Sequence, residues 1–211
     1  GKVGVLGHSE GGTIAFMLGA EDTVDFLVSL AGAAAKGIDV ILGQNEAVLK
    51  LSGFSDAVVT QYLKALEVVH MDRINGVTVE NSVGYVGKVC SDNDVVLPAS
   101  LKSNLEAVAS SDNDWFTYFL GYDPSEDIKK ITCPVFALNG TLDMQVIAED
   151  NLSVIRENLP ENVLSIVKEY DSLNHLFQNC TIQNCLLYGA IEETISEEVL
   201  NDISTWINGI K

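Results

Sequence analysis

Lys2-Val3-Gly4-Val5-Leu6-Gly7-His8-Ser9-Glu10-Gly11-Gly12-Thr13-Ile14-Ala15-Phe16-Met17-Leu18, residues 2–18, is the stretch on which the reading of the fold turns. Lys2 to Leu6 is a short β-rich run. A Gly-rich corner at 7–12 follows, and then an apolar segment of helical character that is hydrophobic nearly all round, as a buried helix is. Strand, sharp turn and buried helix in seventeen residues is half of a βαβ unit. The next apolar run, Val24 to Ala31, is continuous enough for a strand covered on both faces.

Working outward, the pattern changes between Gly37 and Lys130. Ser55 is placed to cap a helix carrying Val58, Tyr62, Leu66 and Val69 at helical spacing. Ser100 is placed to cap another, with Leu101, Leu105 and Val108 on one face, and Asp112 to Leu120 reads as a short helix with Trp115, Phe116 and Phe119. The stretch 37–130 is therefore expected to be a helical insertion, or lid, between core segments 1–36 and 131–211. An aromatic group at Trp115, Phe116, Tyr118 and Phe119 would either pack the lid or line a pocket. Sheet character returns at Pro134 to Leu138, a helix fits Val146 to Leu159, and Leu164 to Tyr170 alternates as a strand. Ser196 caps a last helix with Val199, Leu200, Ile203, Trp206, Ile207 and Ile210 on its apolar face. The expected class is α/β, with about four mostly parallel strands and flanking helices.

Composition narrows the function classes. Thirty acidic against twelve basic residues give a net charge of −18, which repels phosphate backbones and anionic lipid, so neither nucleic acid nor a membrane surface is an expected partner. No apolar run approaches the ~20 residues of a membrane-spanning helix, and Gly1 to Val5 reads as strand rather than leader. Of four cysteines, Cys133 is expected as a buried thiol, and Cys180 and Cys185 share a polar loop where a local disulfide could close. They have no second Cys/His pair at ligand spacing, so no metal and no other cofactor is expected. The compartment stays open.

Gly7-His8-Ser9-Glu10-Gly11 matches G-x-S-x-G. Chance order of this composition would give about 0.1 such pentapeptides, so the match gains weight from sitting between a strand and a buried helix. That corner would project Ser9 Oγ above the C-terminal edge of the sheet, beside a helix N-terminus suited to developing negative charge. A serine needs a base, and the base an orienting carboxylate. Of three histidines, His8 lies on the strand side of Ser9 and reads as packing, and His70 reads as a partly exposed structural residue. His175 follows a strand in a loop and is the expected base. Asp143, in the loop after Val135 to Leu138, is the expected acid, and Asp171, only four residues before His175, is its rival. The order Ser9, Asp143, His175 is that of the α/β hydrolases.

Gly-His-Ser-Glu-Gly-Gly at 7–12, Asn-Gly-Thr-Leu-Asp-Met-Gln-Val at 139–146 and Asn-His-Leu-Phe-Gln at 174–178 resemble α/β-hydrolase-fold esterases, in particular the bacterial dienelactone-hydrolase-like or acyl-peptidase-like group. The resemblance implies a serine hydrolase that cleaves carboxylic esters through an acyl-enzyme. Ser9 would be the nucleophile, Asp143 the acid and His175 the base, with the backbone N–H of Glu10 in the oxyanion hole. Peptidase and thioesterase chemistry on the same fold stay open, as does a non-catalytic interaction module. In that family the elbow follows the fifth strand of about eight, so the resemblance implies the C-terminal half of the fold, N-terminally truncated and lacking one oxyanion donor. Weak or absent turnover is then expected, together with a homo-oligomer joined through the strand at Lys2 to Leu6.

Overall fold

The computed structural model describes residues 1–91, 96–111 and 113–210. Two compact units divide the chain: one comprises 1–36 with 123–211, the other 37–122.

The first unit is built on four strands, β1 (Gly4–His8), β2 (Phe26–Leu30), β3 (Val135–Gly140) and β4 (Ile166–Tyr170), hydrogen-bonded in sequence order. Every pairing is parallel, with Gly4 opposite Phe26, Leu27 opposite Val135 and Phe136 opposite Ile166. The strands start and stop up to two residues from the expected ends. Parallel strands need covering on both faces, and period-two alternation supplies it. Leu27, Val135 and Ala137 turn to one face, where they meet Ala15 and Phe16 of α1 (Glu10–Ala20) and Leu152 and Ile155 of α8 (Ala148–Asn158). Val28, Leu30, Phe136 and Leu138 turn to the other and meet Val199 and Ile203 of α9 (Glu197–Gly209). All six residues of β3 are buried, whereas β1 and β4 stand at the two edges.

Two helices are less fully buried than their composition implied. Ile14 of α1 is 44% exposed, and the buried side is Gly12, Thr13, Ala15, Phe16 and Gly19. Leu200 of α9 faces solvent, and Ile210 lies just past its end. Ser196 does precede α9, but its hydroxyl makes no capping bond.

The second unit is helical: α2 (Gly37–Leu51), α3 (Asp56–Ile74), α4 (Val79–Ser91), α5 (Ala99–Ser110) and α6 (Asp114–Gly121). Leu49, Val59, Tyr62, Leu66, Val69, Leu97, Leu101 and Leu105 form its core. The short α7 (Ser125–Ile128) groups with the sheet unit, where Ile128 joins the core on the α1 side. Pro98, not Ser100, precedes α5, because proline's fixed φ and missing N–H suit a helix start. Asn113 caps α6 by accepting from Phe116 N at 3.0 Å, and Asp112, the expected first residue of that helix, lies outside the described residues. Within α6, Phe116 and Phe119 stack at 6.2 Å, while Trp115 and Tyr118 are 51% and 61% exposed. Among the described residues no helix is long and apolar enough to cross a membrane.

Candidate active site

In a parallel sheet all strands end on one edge, so the loops leaving β1, β3 and β4 gather there. Ser9 follows β1, Asp143 follows β3, and His175 follows β4.

At the β1 corner Ser9 adopts φ 56° and ψ −122°, a conformation costly for any residue with a Cβ. The corner is held because Ser9 N donates to Leu30 O at 2.8 Å, and Ser9 O accepts from Gly12 N at 2.9 Å. Thr13 Oγ1 donates to Ala33 O at 2.9 Å, tying the helix start to the segment after β2. The glycines of the corner do different work. A Cβ on Gly7 would lie 1.9 Å from Gly11 O, and one on Gly12 would lie 2.7 Å from Gly32 Cα, so neither position has room for a side chain. A Cβ on Gly11 would meet nothing within 4 Å. Relief of crowding at the corner thus comes from Gly7 and Gly12.

Asp143 and His175 are brought together. His175 Nδ1 lies 2.8 Å from Asp143 Oδ2, with both residues buried. Asp143 Oδ1 accepts from the backbone N–H of Gln145 at 2.8 Å and of Val146 at 3.0 Å, which fixes the carboxylate plane. With the carboxylate accepting, the proton sits on Nδ1 and Nε2 keeps its lone pair. The rival Asp171 is engaged elsewhere, taking the Thr141 hydroxyl at 3.3 Å and the Ser172 hydroxyl at 3.2 Å. The two loops meet through main chain: Leu142 N donates to Leu173 O at 3.0 Å, and Thr141 N to Tyr170 O at 2.9 Å. Gly140 permits this, since a Cβ there would sit 2.2 Å from Leu173 O.

The loop bearing His175 is stiffened by its own polar residues. Asn174 is fully buried; its Oδ1 accepts from Leu176 N and Gln178 N, both at 3.0 Å, and its Nδ2 donates to Gln178 Oε1 at 2.9 Å. Gln178 Nε2 in turn donates to Glu193 O at 2.8 Å. Gln145, beside Asp143, donates to Tyr188 Oη at 2.9 Å.

Sequence reasoning missed the part played by His8. Its Nε2 donates to the backbone carbonyl of His175 at 2.7 Å, and the two imidazole rings lie 4.7 Å apart. Burial of the ring lowers its pKa, against the opposing pull of that carbonyl, so His8 is a neutral donor at pH 7. Only its position next to Ser9 could have flagged it. His70, expected as partly exposed, is 1% exposed and belongs to the helical unit. Ser9 Oγ and His175 Nε2 are not joined by a hydrogen bond in this structure. Glu10 opens α1, so its backbone N–H stands at the helix head beside Ser9.

The cysteines differ from expectation. Cys180 and Cys185 are free thiols, their Sγ atoms directed to Ser172 O and Ile182 O. Cys133 is a free thiol only half buried. Among the described residues, no three His, Cys, Asp or Glu side chains are grouped to hold a metal ion.

No family model and no curated protein matches the chain. Solved structures do. The meta-cleavage product hydrolase of Pseudomonas fluorescens IP01 is 12% identical with a TM-score of 0.45, over 100% of this chain and 66% of that one. The Pyrococcus furiosus esterase Pf2001 is 12% identical with a TM-score of 0.45, over 97% and 52%. The Paleococcus ferrophilus monoacylglycerol lipase is 13% identical with a TM-score of 0.47, over 100% and 69%. These neighbours are of the α/β-hydrolase fold, the family that the motifs resemble. The chain spans between about half and about two thirds of their lengths.

Proposed function

We propose that the chain carries the catalytic centre of a serine hydrolase that cleaves carboxylic esters through an acyl-enzyme. One observation carries the reading: the buried 2.8 Å bond between His175 Nδ1 and Asp143 Oδ2, on the sheet edge where the strained Ser9 corner also lies. Ser9 Oγ attacks the ester carbonyl while His175 Nε2 takes its proton, and Asp143 stabilises the imidazolium that forms. The backbone N–H of Glu10 faces the oxyanion. Collapse of the tetrahedral intermediate breaks the bond to the alcohol, which leaves with the proton from His175. Water, deprotonated by His175, then attacks the acyl-serine and restores Ser9. Peptide and thioester substrates would pass through the same steps.

A non-catalytic module is favoured by a different observation, the unformed bond between Ser9 Oγ and His175. Apo sites often close such bonds only with substrate present, and the two readings separate on one measurement. Intact mass after fluorophosphonate treatment should show a single adduct that both Ser9→Ala and His175→Ala abolish. A folded chain that stays unlabelled would retire the catalytic reading.

The same reading extends to assembly. β1 is an edge of the sheet, with Val3 60% and Leu6 53% exposed, and unpaired edges recruit strands. A homo-oligomer through Lys2 to Leu6 is therefore proposed, and a monomeric mass by light scattering at high concentration would dismiss it.

A further inference from the structure

The helical unit contains a cavity of about 230 Å³ that the catalytic reading does not use. Val69 and Arg73 of α3, Val77 in the turn after it, Ser82 of α4, Ala109 of α5 and Asp114 of α6 line it. Its walls are about half apolar, from Val69, Val77 and Ala109, and half polar, and two of its polar groups are unusual in what they lack. Arg73 Nη2 donates to Val108 O at 2.8 Å and also to Ser111 O, but Nη1 is buried and has no partner among the described residues. Ser82 is 4% exposed, and its Oγ is likewise without a partner among the described residues. Buried donors are nearly always satisfied, so two of them lining one cavity mark a place where an acceptor belongs.

The acceptor should be an anion. Among the described residues no carboxylate pairs with Arg73, and its guanidinium lies 5.5 Å from the Phe116 ring centroid. His70, one turn earlier on α3, supplies no counter-charge; burial and the Arg73 charge hold its pKa down to about 4, so it is neutral. Asp114 faces the cavity from its exposed rim and opposes any ligand bringing a second negative charge.

We propose that this cavity binds a small aliphatic monocarboxylate. Arg73 Nη1 and Ser82 Oγ donate to the carboxylate oxygens, and Val69, Val77 and Ala109 take the chain. The proposal does not rest on the hydrolase reading, because every lining residue lies within 37–122. A ligand of about six non-hydrogen atoms supports binding in the millimolar range.

Sodium butyrate titrated into the ¹⁵N-labelled chain tests it by NMR, with butylammonium chloride and inorganic phosphate as controls. Saturable shifts centred on Arg73, Val77 and Ser82 are expected with butyrate and with neither control. Ser82→Ala removes an unpartnered hydroxyl, so it should leave the fold intact while weakening butyrate several-fold. Val77→Trp, at a half-exposed position, should close the cavity and abolish binding. The proposal is overturned by the absence of a saturable shift, by shifts centred elsewhere, or by an equal response to either control. Butyrate binding unchanged in both variants would overturn it too.

Discussion

The sheet unit and the helical unit differ in how they treat most of their buried polar groups, Ser29 Oγ of β2 being the sheet unit's one unpartnered side-chain atom among the described residues. In the sheet unit Asp143, His175, Asn174, Gln178, Asn139 and Asn151 are all buried, and each is tied into a hydrogen-bond network. In the helical unit His70 Nδ1, Arg73 Nη1 and Ser82 Oγ are buried with no partner among the described residues. A satisfied network costs little to keep and fixes where each atom sits, which is what acid–base chemistry requires. Unsatisfied donors cost stability in the free protein, and a ligand can recover that cost. The sheet unit is thus organised in advance around its own residues, and the helical unit leaves an opening for something else.

Three substitutions break or sharpen that contrast. The largest effect should come from Asp143→Asn, which keeps the shape of the network but reverses the tautomer that the proposed mechanism requires of His175. Ester turnover should fall about 10⁴-fold while the urea midpoint moves little. A variant that retained more than a tenth of parental turnover would remove Asp143 from the triad. Next is Gly140→Ala, whose new Cβ would meet Leu173 O at 2.2 Å. Overpacking against main chain should cost about 2–3 kcal/mol and separate the acid loop from the base loop. Urea unfolding and fluorophosphonate labelling should therefore both suffer, and a neutral result would mean that the loops can part without consequence.

The smallest effect concerns His70. Its folded pKa of about 4 lies below the unfolded value of 6.5, so between these values the unfolded chain binds more protons. The stability from burying a neutral His70 is complete above pH 6.5 and is lost as pH falls toward 4. The parent should lose more stability between pH 7 and pH 5 than His70→Phe does, as read from urea midpoints. Equal losses would mean that His70 is protonated, or exposed, in the folded chain.

Much of this was legible in the sequence, for reasons that can be located. The run from Lys2 to Leu18 announces strand, corner and helix because G-x-S-x-G sits between two apolar patterns. Asp143 and His175 could be picked out because each stands a few residues past a strand, and parallel strands deliver such loops to a common edge. Helices α2 and α4 are not legible as separate helices, because their apolar residues are interleaved with Gly and Asn that blur the helical period. Ser100 has the chemistry of a cap although Pro98 precedes the helix, and Ile14 and Leu200 carry apolar side chains within apolar segments yet face solvent. His8 and Gly140 were illegible in principle: one bonds across 167 residues, and the other matters only because Leu173 O lies against it.

The bond from His8 to the His175 carbonyl joins the end of β1, one edge strand, to the loop that follows β4, the other. The proposed nucleophile and base are thereby lashed to adjoining residues at the end of β1, Ser9 by the chain itself and His175 by a single proton. If β4 peels away during breathing of the native state, the base leaves with it and the elbow stays behind. The rate at which a fluorophosphonate reaches Ser9 would then clock the docking of that distant margin, turning a chemical label into a reporter of mechanical integrity.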